Sequence, residues 1–143
     1  MSFDLKISNG DLVIGSNGDF EIVENADKLI QDILKILMCP LGSNVFFPWY
    51  GSSLSGTSVG QIFDEQLKQD IIAQQINSNL ETLQKLQQQQ MSDGQRVTPN
   101  ELLAAIQSVS VERNTVDPTF FSIDVNVITK GFQVLTASLS VGL

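Results

Sequence analysis

Histidine is missing from this chain altogether, and cysteine occurs once, as Cys39. Without histidine there is no Ser–His or Cys–His nucleophile pair and no imidazole ligand for a metal. A lone cysteine permits no internal disulfide, and at the end of an apolar helix its expected role is that of a small buried hydrophobe. Cations are scarce as well: eight Lys and Arg against sixteen Asp and Glu give a net charge of −8. The eight are scattered, with no basic run, which argues against nucleic acid as a partner. No apolar run is long enough to span a bilayer, and the opening MSFDLKIS has no signal-peptide core. A glycine-rich phosphate loop, zinc-ligand spacing, a nucleotide fingerprint and a nucleophile elbow are all absent. The glutamates Glu21, Glu24, Glu65, Glu81, Glu101 and Glu112 show no pairing of the kind a glycosidase needs across a cleft. No catalytic residue, cofactor site or metal site is therefore expected. Asp11 and Asp19, which lie in turns, lack the ligand-rich spacing of a calcium loop.

What is present describes a folded domain. A chain of 143 residues with 42% apolar side chains is one domain with a real core, residues 1–143. The charged fraction, 17%, is low, and the many Gln, Ser, Asn and Thr suggest a surface covered in an assembly.

Along the chain, Phe3, Leu5 and Ile7 alternate with polar residues up to Asn9-Gly10. Leu12 and Ile14 alternate again up to Asn17-Gly18, and Phe20 and Ile22 follow. Asn-Gly takes the positive φ of tight turns, so residues 1–24 read as a short β-meander. Asn25 is placed to cap a helix with Leu29, Ile30, Ile33, Leu34, Ile36 and Leu37 as its apolar stripe. Met38 and Cys39 pack its last turn, and Pro40 stops it.

The stretch LMCPLGSNVFFPWYGSSL, Leu37 to Leu54, holds the only Trp and the only Tyr. A loop this aromatic must dock against something: it plugs one end of the chain's own core, meets another protein, or does both. After a Ser/Gly-rich connector, a long helix is expected from Val59 to Gln90, with its apolar stripe fading before the QQQQ of 87–90. That run has no core face, so the helix end projects or lies along a neighbour.

Thr98-Pro99-Asn100-Glu101 has the form of a capping box with proline at the first helical position. It predicts a short third helix carrying Leu102, Leu103, Ile106 and Val109 inward. Phe120–Thr129 and Val134–Val141 alternate with period two around a Lys130-Gly131 turn, giving antiparallel strands. The fold class is therefore α+β: a β-meander, a helical part over 25–107 with the aromatic loop at 40–54, and a small C-terminal sheet over 108–143.

The loop residues Leu37, Gly42, Pro48, Gly51, Ser52 and Leu54, followed by the long helix, a short third helix and a closing hairpin, carry a resemblance over residues 19–141. The chain resembles the small baseplate-wedge subunits of contractile phage tails, a family of sheath initiators related to the small baseplate subunit of type VI secretion systems. It departs from the family pattern in having Glu112-Arg113 without the intervening proline, and Ser43 where a glutamate often follows the loop glycine. The resemblance implies a structural component of the virion tail baseplate, assembled in the host cytoplasm in six copies per baseplate. Its implied partners are larger wedge proteins and the first ring of tail sheath, with no nucleic acid and no membrane. The family's lysozyme-like label implies no hydrolase activity. The implied contact residues are Phe47, Trp49, Tyr50, Glu112, Arg113, Val134, Leu135, Thr136, Leu139 and Val141. In this reading the C-terminal strands offer an edge for strands of the sheath. The competing expectations are a cell-wall hydrolase of the tail, which Glu112 would have to serve, and a small tail-completion binding module.

Overall fold

The computed structural model describes residues 2–54, 65–117 and 120–142. Four short strands open the chain: β1 (Phe3–Leu5), β2 (Ile7–Ser8), β3 (Asp11–Leu12) and β4 (Ile22–Glu24). They are not paired in simple succession. β1 pairs with β4 and β2 with β3, both antiparallel, and Ile14 bridges Phe20. The three limbs close on one another, because Lys6 N–H donates to Glu21, Glu21 N–H to Val13, and Val13 N–H to Lys6. Asn9 and Gly10 both take positive φ, as the Asn-Gly turn requires.

Helix α1 (Asn25–Met38) buries Leu29, Ile33, Ile36 and Leu37. Asn25 does not cap it. Its φ is +53, a region asparagine tolerates, and its side chain instead accepts from the Thr98 hydroxyl at 2.8 Å. Met38 is exposed and Cys39 only half-buried, against the expectation that both pack the last turn. Helix α2 (Glu65–Ser92) buries Ile72, Ile76, Leu80 and Leu83. The expected first turns, from Val59 through Phe63, and most of the Ser/Gly connector lie outside the described residues.

The expected third helix is one 3-10 turn, Pro99–Glu101, followed by strand β5 (Leu103–Arg113). The capping box forms, with the Glu101 carboxylate accepting from Thr98 N–H at 3.0 Å, but it caps a single turn. The helical spacing of the apolar residues beyond it has another cause. β5 pairs with β6 (Phe120–Thr129) through register shifts at Leu103/Ala105 and Ile106/Ser108. Each shift adds one residue on β5, so the inward positions run Leu103, Ile106, Val109, Val111, at spacings of three, three and two. Two bulges thus give a strand the apolar period of a helix.

β6 pairs with β7 (Val134–Gly142) without a shift, completing an antiparallel sheet in the order β5-β6-β7. Phe121, Ile123, Val125 and Val127 of β6 and Leu135, Ala137 and Leu139 of β7 join the helices in the core. The 129–133 turn places its left-handed residue at Phe132 (φ +62), not at Gly131. A Cβ at Gly131 would lie 2.1 Å from Asn100 Oδ1, so a larger residue there requires the Asn100 side chain to turn aside.

Candidate functional site

Two helical glutamines anchor extended backbone in the same way. Gln31 accepts from Ile7 N–H at 2.9 Å and donates to Leu5 C=O at 2.8 Å. Gln87 accepts from Leu103 N–H at 2.9 Å and donates to Glu101 C=O at 3.0 Å. Each amide bonds residues i−1 and i+1 of its target, as a neighbouring strand residue would; Gln87 satisfies buried groups that are costly to leave unpaired, and Gln31 partly buried ones. Gln87 is the first residue of the QQQQ run, so that run does have a core-facing member. A polar side chain carries no hydrophobic signal, and this role was not visible in the sequence.

Glu101 is 2% exposed and is held by Thr98 N–H and by the backbone and hydroxyl of Ser2. It is a joint between the chain's opening residues and the start of the sheet. Lys35 bonds both Asp4 and Asp32, and Asp32 also bonds Lys28. Burial opposes the ionisation of Asp4, but the Lys35 ammonium outweighs it and holds the carboxyl below its ordinary value. Burial likewise opposes the charge on Lys35, yet the two aspartates raise its pKa overall. Burial pushes up the phenol of the adjacent Tyr50.

The aromatic loop divides. Its neck is closed by Leu41 N–H on Ser52 O at 2.9 Å and Ser52 N–H on Cys39 O at 2.8 Å, while the Ser52 hydroxyl donates to Leu37 O. Gly51 sits at φ +118, where a Cβ would lie 2.5 Å from Cys39 O, so only glycine fits. Leu54 is buried, and Tyr50 packs on the core. The tip is different: Val45 and Phe46 are 88% and 87% exposed, and Phe47 and Trp49 about half exposed at 53% and 51%. The core-plug expectation therefore holds for Tyr50 and Leu54 but not for the tip.

The remaining candidates lie on the sheet. Glu112 and Arg113 end β5 on the surface, with the Arg113 guanidinium 5.6 Å from the ring centre of Phe121. Leu135 and Leu139 point their side chains into the core; Val141 is half-buried. Val134 is exposed, and Thr136 donates to Asn126 on the polar outer face at 2.6 Å.

What β7 does offer is backbone. Thr129 N–H bonds Gln133 O at 2.9 Å, which fixes the alternation of the hairpin. Leu135, Ala137 and Leu139 turn their N–H and C=O groups toward β6, while Val134, Thr136, Ser138 and Ser140 turn theirs outward. No hydrogen bond to that outer side is present among the described residues. The other edge is guarded. β5 carries two bulges, ends in charged Glu112-Arg113, and has Gln84 donating to Ala104 O at 3.0 Å beside the Gln87 fork. β7 has no bulge, proline or charged residue. Edges of that kind are templates for another strand.

Among the described residues there is no helix long and apolar enough to cross a membrane, and no group of three or more metal-ligating side chains. The chain is an α+β protein in which, among the described residues, two helices lie on one face of a three-stranded antiparallel sheet. No family model and no curated protein matches it. Among solved structures, the crystal structure of a protein described as a tail lysozyme from Geobacter sulfurreducens is similar. Its TM-score is 0.62 at 13% identity, over 82% of this chain and 89% of that one. The likeness shows a fold shared with a protein described as belonging to a tail.

Proposed function

We propose that the chain is a structural, non-enzymatic subunit of a contractile tail baseplate, joining larger wedge proteins to the first sheath ring. It accepts a sheath strand along β7 and so sets the register of the ring above. The observation that carries this reading is the asymmetry of the sheet: one edge bulged, plugged and charged, the other straight, neutral and, among the described residues, unpaired. The fold shared with a protein described as a tail lysozyme supports the tail setting. The same fold could host a hydrolase, but the chemistry here favours structure. The two carboxylates that share a partner, Asp4 and Asp32, are bridged by Lys35, and Asp4 is held low where a general acid needs a raised pKa.

Cryo-electron microscopy of the assembled tail tests this. The expected result is density for this chain beneath the first sheath ring, with an added strand hydrogen-bonded to Val134, Thr136, Ser138 and Ser140. A bare β7 in the assembled particle would remove the strand-addition mechanism, and peptidoglycan hydrolysis abolished by Glu112→Gln would replace it with an enzyme.

A further inference from the structure

The outer face of the sheet carries small polar side chains in an ordered hydrogen-bond pattern. The register sets Asn126 between Ser108 and Thr136, and Asp124 beside Ser138. Asn126 Nδ2 donates to Ser108 Oγ at 2.9 Å, and Thr136 Oγ1 donates to Asn126 Oδ1 at 2.6 Å. Ser138 Oγ donates to Asp124 Oδ1, also at 2.6 Å. Chemistry fixes the direction of the Ser138 bond, since an ionised carboxylate can only accept. At Thr136 the same direction follows from the Asn126 amide, whose nitrogen is turned to Ser108.

Both β7 hydroxyls therefore give their single proton to β6 and turn only lone pairs toward the bare edge. We propose that β7 selects the strand it accepts by this pattern: the residues set beside Thr136 and Ser138 are hydrogen-bond donors such as Ser, Thr, Asn or Lys, and a carboxylate at either place is rejected. The inference rests on strand addition along β7 and names the chemistry of the added strand. Thr136 and Ser138 also turn their backbone outward, so each would form a hydrogen-bonded pair with the residue beside it. Side chains of such a pair have Cβ atoms about 4.5–5.5 Å apart, close enough to interact. A hydroxyl, amide or ammonium there donates to the waiting oxygen, whereas a carboxylate meets lone pairs with no proton between them.

Charge acts in the same direction. Asp124 has no ion-pair partner among the described residues, and Glu112, set beside Ser122 on the same face, is acidic too. Behind its row of acceptor oxygens the edge thus carries negative charge, which favours donors and cations on the added strand and penalises acids. The inward residues of β7, Leu135, Ala137 and Leu139, are buried in the core and give the strand no polar signal. The choice falls to the outward pair.

The test is NMR titration of the full chain with three synthetic peptides that alternate valine with an outward residue. The first has threonine at every outward position, and the second has glutamate at its two central ones. The third has those two glutamates moved to its ends, so that its net charge equals the second's. The expected result is shifts of the Val134, Thr136, Ser138 and Ser140 amides with the first and third peptides, and binding at least about tenfold weaker for the second. Asp124→Asn, on the exposed face, supplies an amide that donates to Ser138 and frees the hydroxyl proton to point outward. In that variant, shown to be folded by thermal melting, the penalty on central glutamates should fall to under about threefold. Equal affinity of the second and third peptides, with shifts at those amides, would leave strand addition standing and overturn donor selection. A penalty unchanged in Asp124→Asn would overturn it as well. Shifts at none of the four amides with any peptide would remove strand addition, and this selection with it.

Discussion

Replacing Ser138 with proline removes one outward N–H from the middle of β7 and touches little else. The Ser138 amide points away from β6, so the internal ladder keeps all its bonds. Ala137, the residue before it, is already extended, as proline demands of its predecessor. The hydroxyl bond from Ser138 to Asp124, 2.6 Å on the exposed face, is lost as well. Ser138→Ala loses only that bond and serves as the control. A strand added along β7 would lose one hydrogen bond, worth about 0.5–1.5 kcal/mol, and would bury an unpaired carbonyl at a cost of about 1–3 kcal/mol. The sum, roughly 2–4 kcal/mol, corresponds to a weakening of about 30-fold to several-hundred-fold. Biolayer interferometry of each variant against purified sheath subunit reads this directly, with negative-stain counts of sheathed tails as the assembly readout. Thermal melts establish that both variants fold. Binding of Ser138→Pro within about threefold of Ser138→Ala, a difference of under 1 kcal/mol, would refute strand addition at this edge.

Three further outcomes follow from the geometry. Gln87→Leu leaves Leu103 N–H and Glu101 C=O unpaired in the interior and should destabilise by about 2–4 kcal/mol in urea titration, whereas exposed Gln88→Leu should change stability by less than about 0.5 kcal/mol. Gly51→Ala drives a methyl into Cys39 O and should open the loop neck, costing on the order of 1–3 kcal/mol and shifting the emission of Trp49, the only tryptophan. Acid titration should expose the Asp4–Lys35 contact. The folded pKa of Asp4 is depressed, so its stabilisation is complete above about pH 4 and is lost as pH falls through the folded value; Asp4→Asn should flatten that limb of the stability curve. The folded pKa of Lys35 is raised, so its contribution is complete below about pH 10 and is lost as pH rises through the folded value, a limb that Lys35→Met should remove.

The local patterns in the sequence were sufficient wherever structure follows from nearest neighbours. Asn9-Gly10 specified a tight turn, the stripe from Leu29 to Leu37 specified α1, and the alternation of Phe121 to Val127 specified β6 with its inward face. The loop glycines were legible as special positions, and Gly51 proved to be one that no other residue fills. Three features depended on partners distant in the chain. The capping box at Thr98 formed, but whether a helix continued from it was decided by β6, whose ladder captured residues 103–113 and whose bulges gave them a helical spacing. Gln87 read as part of a run with no core face and Gln31 carried no signal, until folding set backbone from elsewhere in the chain against their amides. The aromatic loop read as docked against the core, another protein or both, and the closed neck at Ser52 decides the division, holding its tip out of the core. The sequence by itself determined most of the elements, β5 excepted, and which face of them is apolar, because those depend on periodicities within a few residues. Tertiary structure alone decided which strand edge stayed bare and which apolar surface stayed wet, because unpaired hydrogen-bonding groups and uncovered side chains are defined only by what the rest of the chain does not reach.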